Sequence, residues 1–225
     1  MKEPANPLSG LYRLPETLCL ARHAESADPT VFHGFESDIE LGNQGFRQAK
    51  AFARREDFAD VDLLISSGQR RSLQTLEPLA ERLGLEIHII RGFHERKVGI
   101  LQGTPVSTSS GLFSQTRKDW SLGFKDQTTE GAESYNEVKN RVNIAILDLN
   151  ILCNNKGAKK PLVISHGLTL KILLVERIFG GDAARWDELG PMQNTALWTI
   201  DKPHLPNWTP RNLGCLSHLT EFQPN

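Results

Sequence analysis

Short apolar runs alternate with segments of helical period along most of the chain. Residues 17–21 (TLCLA) form the first run, with the length of a buried strand. Over residues 45–55, Phe46, Ala49, Phe52 and Ala53 recur at the spacing of one helix face. Residues 61–66 read as a second strand. Residues 71–83 read as a helix ended by Gly84, since glycine readily takes the left-handed conformation common just past a helix end. A third strand is expected at 85–90. The longest helical pattern spans 133–153, with Val138, Val142, Ala145, Leu149 and Leu152 on its face. Residues 162–165 are a fourth strand leading into an apolar helix at 168–179, and 195–200 read as a fifth strand. Strands alternating with helices predict an α/β fold with a mainly parallel sheet.

Two stretches carry no period. Residues 1–16 are polar and proline-bearing and read as an irregular lead-in. Residues 104–130, rich in Ser, Thr and Gly, read as an insertion over a site, because long irregular segments in compact domains are often functional. With no linker or repeat in sight, residues 1–225 are expected to form one domain with its core at about 17–200 and a lid insertion at 104–130.

Composition narrows the partners. The 26 Lys and Arg against 27 Asp and Glu give a net charge of −1, without the basic excess of a nucleic-acid binder. Any anion site must therefore be built from a few well-placed basic residues. No apolar run reaches the roughly 18 residues of a membrane-spanning helix, and the first residues lack the apolar region of a secretion signal. Cys19, Cys153 and Cys215 are odd in number and show no metal-ligand spacing, which fits a reducing cytoplasm. Neither a metal nor a cofactor is expected. The glycosylation pattern at Asn207 reads as chance.

In open α/β sheets, ligands sit beyond the carboxyl ends of the strands. Arg22, His23, Ala24 and Glu25 follow the first strand. Ser66, Ser67, Arg70 and Arg71 follow the second, His94, Glu95 and Arg96 the third, and Ser165, His166 and Gly167 the fourth. This set suits a phosphate ester. A neutral imidazole held through one nitrogen is a nucleophile at the other. The planar fork of arginine pairs with two phosphoryl oxygens at once. A nearby carboxyl group can protonate a departing alkoxide.

Five segments in order resemble the histidine phosphatase (phosphoglycerate mutase-like) superfamily. They are LCLARHAES, DIELGNQGFRQA, ISSGQRRSLQT, HERKVGILQG and VISHGLTLKILL, spread over residues 17 to 200. The resemblance implies a three-layer α/β/α sandwich and a phosphohistidine at His23, with Arg22, Arg71, His166 and Gly167 around the phosphoryl group. Glu95 is implied as the proton donor, with Glu25, Asp28 and Glu133 as other carboxylates near the matched segments. Ser26, Gly34, Arg96 and Asn194 are candidate substrate contacts. His33, His88, His94, His204 and His218 read as structural or surface residues, Arg70 as the solvated neighbour of Arg71, and Cys19 as a packed thiol.

Four departures from the family pattern stand out, and the last two bear on the activity. Ala24 stands where the family usually has glycine, a methyl expected to be tolerated. Gly42 replaces the usual Thr after Leu41. An Asn that contacts phosphate in the mutases aligns with Pro29, and the interval from His23 to His166 is short for that branch. The expectation is a cytoplasmic, metal-independent phosphomonoesterase acting on a small phosphorylated metabolite, as a monomer or homodimer. The alternatives are a cofactor-dependent phosphoglycerate mutase and a non-catalytic phospholigand-binding protein. Phe32, Phe35, Phe113, Trp120 and Phe124, in the least family-like segments, hint at an apolar or aromatic wall.

Overall fold

The computed structural model describes residues 15–203 and 207–222; most of the lead-in and His204 lie outside these. Five strands form one sheet: β1 (Thr17–Arg22), β2 (Leu63–Ser66), β3 (Ile87–Ile89), β4 (Pro161–Ser165) and β5 (Leu197–Asp201), in the order β3-β2-β4-β1-β5. The first four run parallel, and β5 pairs antiparallel with β1 at one edge. The register sets Arg22 beside Ser165 and Ser66 beside Ile164. The residues that follow β1, β2 and β4 therefore emerge together at one edge of the sheet.

Side chains alternate along each strand, and both faces are covered. Leu18, Leu20, Leu63, Ile65 and Val163 join one core with α4 (Tyr135–Lys156) and α5 (Gly167–Ile178). Cys19, Ala21, Leu64, Leu162 and Ile164 join another with Phe52 of α1 (Asn43–Ala53) and Leu76 and Leu79 of α2 (Arg70–Leu83). Strands buried on both sides read as continuous apolar runs rather than as alternation, as the sequence has them. The helices end where local chemistry directs. Gly84 and Gly157 take left-handed φ values of 65° and 67° after α2 and α4. Ser134 and Glu137 form a reciprocal capping box at the start of α4.

The stretch expected to be irregular, 104–130, holds a 16-residue helix instead, α3 (Val106–Ser121). Only Thr116 and Trp120 of it are buried, so no apolar stripe marks the helix in the sequence. Trp120 anchors it, with its ring 5.7 Å from that of Tyr135 and 6.1 Å from that of Trp186. β5 begins two residues later than expected, because Thr195 adopts a left-handed φ of 58° that a strand does not admit.

Candidate active site

A cleft of about 640 Å3 opens where β1 and β4 end, walled in part by the segment 29–33 and by α3. Arg22, His23, Glu25, Ser26, Arg71, Glu95, Arg96, Gly167 and Asn194 all line it. His166 packs beside His23, fully buried, with ring centroids 4.9 Å apart. Gly34 is not on the wall. Its carbonyl accepts from Arg71 and Gln69, so it holds the arginine instead of meeting the cleft. A Cβ at Gly34 would come within 2.3 Å of Glu36 and 2.8 Å of the Arg96 carbonyl, which is why only glycine fits there.

His23 donates from Nδ1 to the carbonyl of Ala24 at 2.6 Å. In a neutral ring this leaves the lone pair on Nε2. Burial, then Arg71 and Arg22, hold the imidazole well below its ordinary 6.5, so the ring is neutral near pH 7. The same causes act on His166. Its Nε2 lies 2.7 Å from Ser67 Oγ, and that oxygen already accepts the N–H of Gln69. Ser67 keeps its own proton available for Nε2, and in the tautomer that receives it the ring proton of His166 sits on Nδ1. His166 Nδ1 and Arg22 Nε are buried without a partner among the described residues, an arrangement that suits an acceptor-rich anion.

Arg71 is 1% exposed, and its fork donates to the carbonyls of Ser37 (2.8 Å) and Gly34 (3.3 Å). Burial pushes it down to about 10, opposed by Glu95 and Asp38, and it stays a cation at neutral pH. Arg22 donates to the Met192 carbonyl at 2.5 Å and is also lowered, by burial. Arg96 is equally buried but engaged elsewhere, donating to the Glu133 carbonyl and Thr128 and lying over the Trp120 ring. Arg70 is exposed, 3.9 Å from Glu40.

Glu95 sits against the start of α5. Its carboxylate accepts from the backbone N–H of Arg96, Leu168 and Thr169 and from the Thr169 hydroxyl. Among the other carboxylates considered, Glu25 shares the wall. Asp28 instead holds Thr30, and Glu133 is tied to Arg141 at 2.9 Å, both off the wall.

The motif residues without chemistry of their own hold the loop after β1. Gln48 accepts the N–H of Glu25, and Thr75 accepts that of Ala24, both at 2.9 Å. A Cβ at Gly45 would fall 2.0 Å from the Glu25 carbonyl, so glycine lets α1 approach. The Ala24 methyl packs with Leu41 and Ala49, which explains how the chain accommodates the departure from glycine. Asn194 donates to the His23 carbonyl at 2.9 Å, reinforcing the same loop from the other side.

Several residues of the site escape a reading of the sequence. Ser67, legible only by its place after β2, is buried against His166. His33, read as structural, lines the cleft while its ring is held by the Asp28 carbonyl and Ser37. Lys171, Trp186 and Met192 also line it. Lys171 carried a legible signal, a lone cation inside the otherwise apolar run of α5.

The parallel sheet with its two histidines at adjacent strand ends is the architecture of the histidine phosphatases. The chain belongs to that family: the model of the histidine phosphatase superfamily (branch 1) matches residues 18–204. A protein of Proteus mirabilis named "Probable phosphoglycerate mutase GpmB" is 29% identical over 191 residues, covering 83% of this chain and 86% of that protein. Among solved structures, a mycobacterial glucosyl-3-phosphoglycerate phosphatase superposes with a TM-score of 0.74 at 22% identity, over 89% of this chain and 99% of that one. An alpha-ribazole phosphatase from Shigella flexneri gives 0.70 at 20% identity, over 88% and 96%. These two likenesses concern the fold.

Proposed function

We propose that this protein is a phosphomonoesterase that works through a phosphohistidine at His23. One observation carries the reading: a buried, neutral His23 whose Nδ1–H is taken up by the Ala24 carbonyl, leaving Nε2 free beside two arginines. Nε2 attacks phosphorus as the ester P–O bond breaks. Arg22, Arg71 and the Nδ1–H of His166 meet the equatorial oxygens. Glu95 passes a proton brought in on the monoanionic ester to the departing oxygen, then takes one from the water that attacks phosphorus and breaks the N–P bond. Inorganic phosphate leaves and His23 is neutral again. No metal or cofactor takes part in this sequence of steps. The substrate is a small phosphorylated metabolite, and three unpaired cysteines fit a reducing, cytoplasmic setting.

The test is single-turnover labelling with a 32P ester. Acid-labile label on the wild-type protein and none on His23→Ala is the expected result; label that survives the substitution rejects the reading. The mutase reading draws on the names of the relatives and shares the first half-reaction. Conversion of 3-phosphoglycerate that depends on added bisphosphoglycerate would favour it. Phosphate binding with no turnover of any ester in a broad panel would instead favour a non-catalytic phospholigand-binding protein.

A further inference from the structure

Three cations of the cleft take no part in the reaction above: Arg96 and Arg117 are tied to protein oxygens, and Lys171 has no carboxylate of its own in hydrogen-bond contact among the described residues. It lies on α5 one turn beyond Gly167, about 6 Å along the helix axis at 1.5 Å per residue. It is 8% exposed, and burial lowers its basicity. Its ammonium donates to the Gly190 carbonyl at 2.7 Å and sits 5.1 Å from the centre of the Trp186 ring. Asp187, the carboxylate whose field reaches it, is already hydrogen-bonded to Arg117 at 2.7 Å. A lysine has three donors, and the described contacts occupy one. A buried cation without its own carboxylate is costly unless something anionic meets it.

The cleft that holds this lysine and the phosphoryl site also carries an apolar patch. The rings of Phe32 and Phe113 pack tilted against each other with centroids 6.4 Å apart, and Val106, Leu168 and Met192 line the same cleft. Such a surface gains little from a short polyhydroxylated chain, and burying hydroxyls there without partners is unfavourable.

We propose that Lys171 is a specificity-determining residue that pairs with a second anionic group of the substrate, a carboxylate separated from the phosphate ester by an apolar ring-sized spacer. The inference rests on the phosphomonoesterase reading and names its substrate class. The phosphate engages Arg22, Arg71 and His23, the ring packs against the Phe32–Phe113 pair, and the carboxylate replaces water at the ammonium of Lys171. A charge-assisted contact of this kind is among the stronger hydrogen bonds a ligand makes.

The experiment compares 4-carboxyphenyl phosphate with 4-carbamoylphenyl phosphate, two esters of nearly the same size that differ in the distal charge. Wild-type protein is expected to favour the carboxylated ester about tenfold in kcat/KM, mostly through KM. Lys171→Met, which places an apolar chain of similar length in an apolar helix, is expected to bring the ratio close to one. Lys171→Arg is expected to keep most of it. Equal kcat/KM values in the wild type, or a preference that survives in Lys171→Met, overturn the inference and leave the phosphomonoesterase reading standing. Turnover of neither ester, with no labelled His23, overturns the phosphomonoesterase reading instead. Calorimetric binding of the same pair to His23→Ala then decides the role of Lys171 without turnover, equal affinities rejecting it.

Discussion

His166 meets Ser67 through Nε2 and leaves Nδ1 without a partner among the described residues, and the proposed reaction needs the ring proton on Nδ1. A neutral imidazole donates from one nitrogen only. If Ser67 did not donate to Nε2, the proton would be free to sit there and Nδ1 would repel a phosphoryl oxygen. Ser67→Ala is therefore expected to lower kcat by about ten- to a hundredfold, the cost of about 1–3 kcal/mol for a buried polar group left unsatisfied. Ser67→Thr, which keeps the hydroxyl, should recover most of the loss. A Ser67→Ala enzyme as fast as the wild type would show that His166 needs no such partner.

The two buried histidines also tie stability to pH. Both have folded-state basicity pushed well below 6.5, so the unfolded chain binds their protons more readily than the folded one. Their neutral forms cost nothing above the unfolded value, and stability is lost as pH falls from about 6.5 toward the folded values. Each contributes a slope approaching about 1.4 kcal/mol per pH unit in that window. Urea unfolding between pH 7 and 5.5 checks this. His166→Gln should show a shallower acid loss than the wild type, and an unchanged slope would contradict it.

At the level of elements, the loop after β1 is held in place by two helices rather than by its own backbone. α1 approaches so closely that Gly45 has no room for a methyl against the Glu25 carbonyl. Gly45→Ala should destabilise the fold by about 3 kcal/mol, since backbone cannot move aside as a side chain would. Urea denaturation measures it; a cost under about 0.5 kcal/mol would show that the contact yields easily. Strands β1 and β4 and helix α5 were legible because burial on both faces writes itself as unbroken apolar sequence. Helix α3 was not. Only Thr116 and Trp120 of it are buried, and a helix with one buried apolar anchor leaves no period to read.

Across the whole molecule, a net charge of −1 coexists with a cleft where arginines and a lysine converge. Clefts with low-dielectric walls focus the local field, so association with a dianionic ester should follow the site and not the sum. We expect kcat/KM for such an ester to fall several-fold between 20 and 500 mM salt, as screening shortens the reach of that field. Stopped-flow or steady-state rates across salt concentrations test it, and a flat profile would mean that the cleft's charges are already balanced by their protein partners.

Sequence alone determined the alternation of strands and helices and the places of His23, Arg71, Glu95 and His166, because each is written locally: an apolar run ends, and a chemically marked residue follows. The tertiary structure decided what those residues can do. The register of β1, β2 and β4 sets His23 against His166 and brings Ser67 to the second ring, and these contacts join residues far apart in the chain. It also moved Gly34 off the wall and turned Lys171 from an oddity in an apolar helix into part of the cleft. Tautomers, depressed basicities and the shape of the apolar wall all arise from burial by distant segments, and no local pattern of residues encodes them.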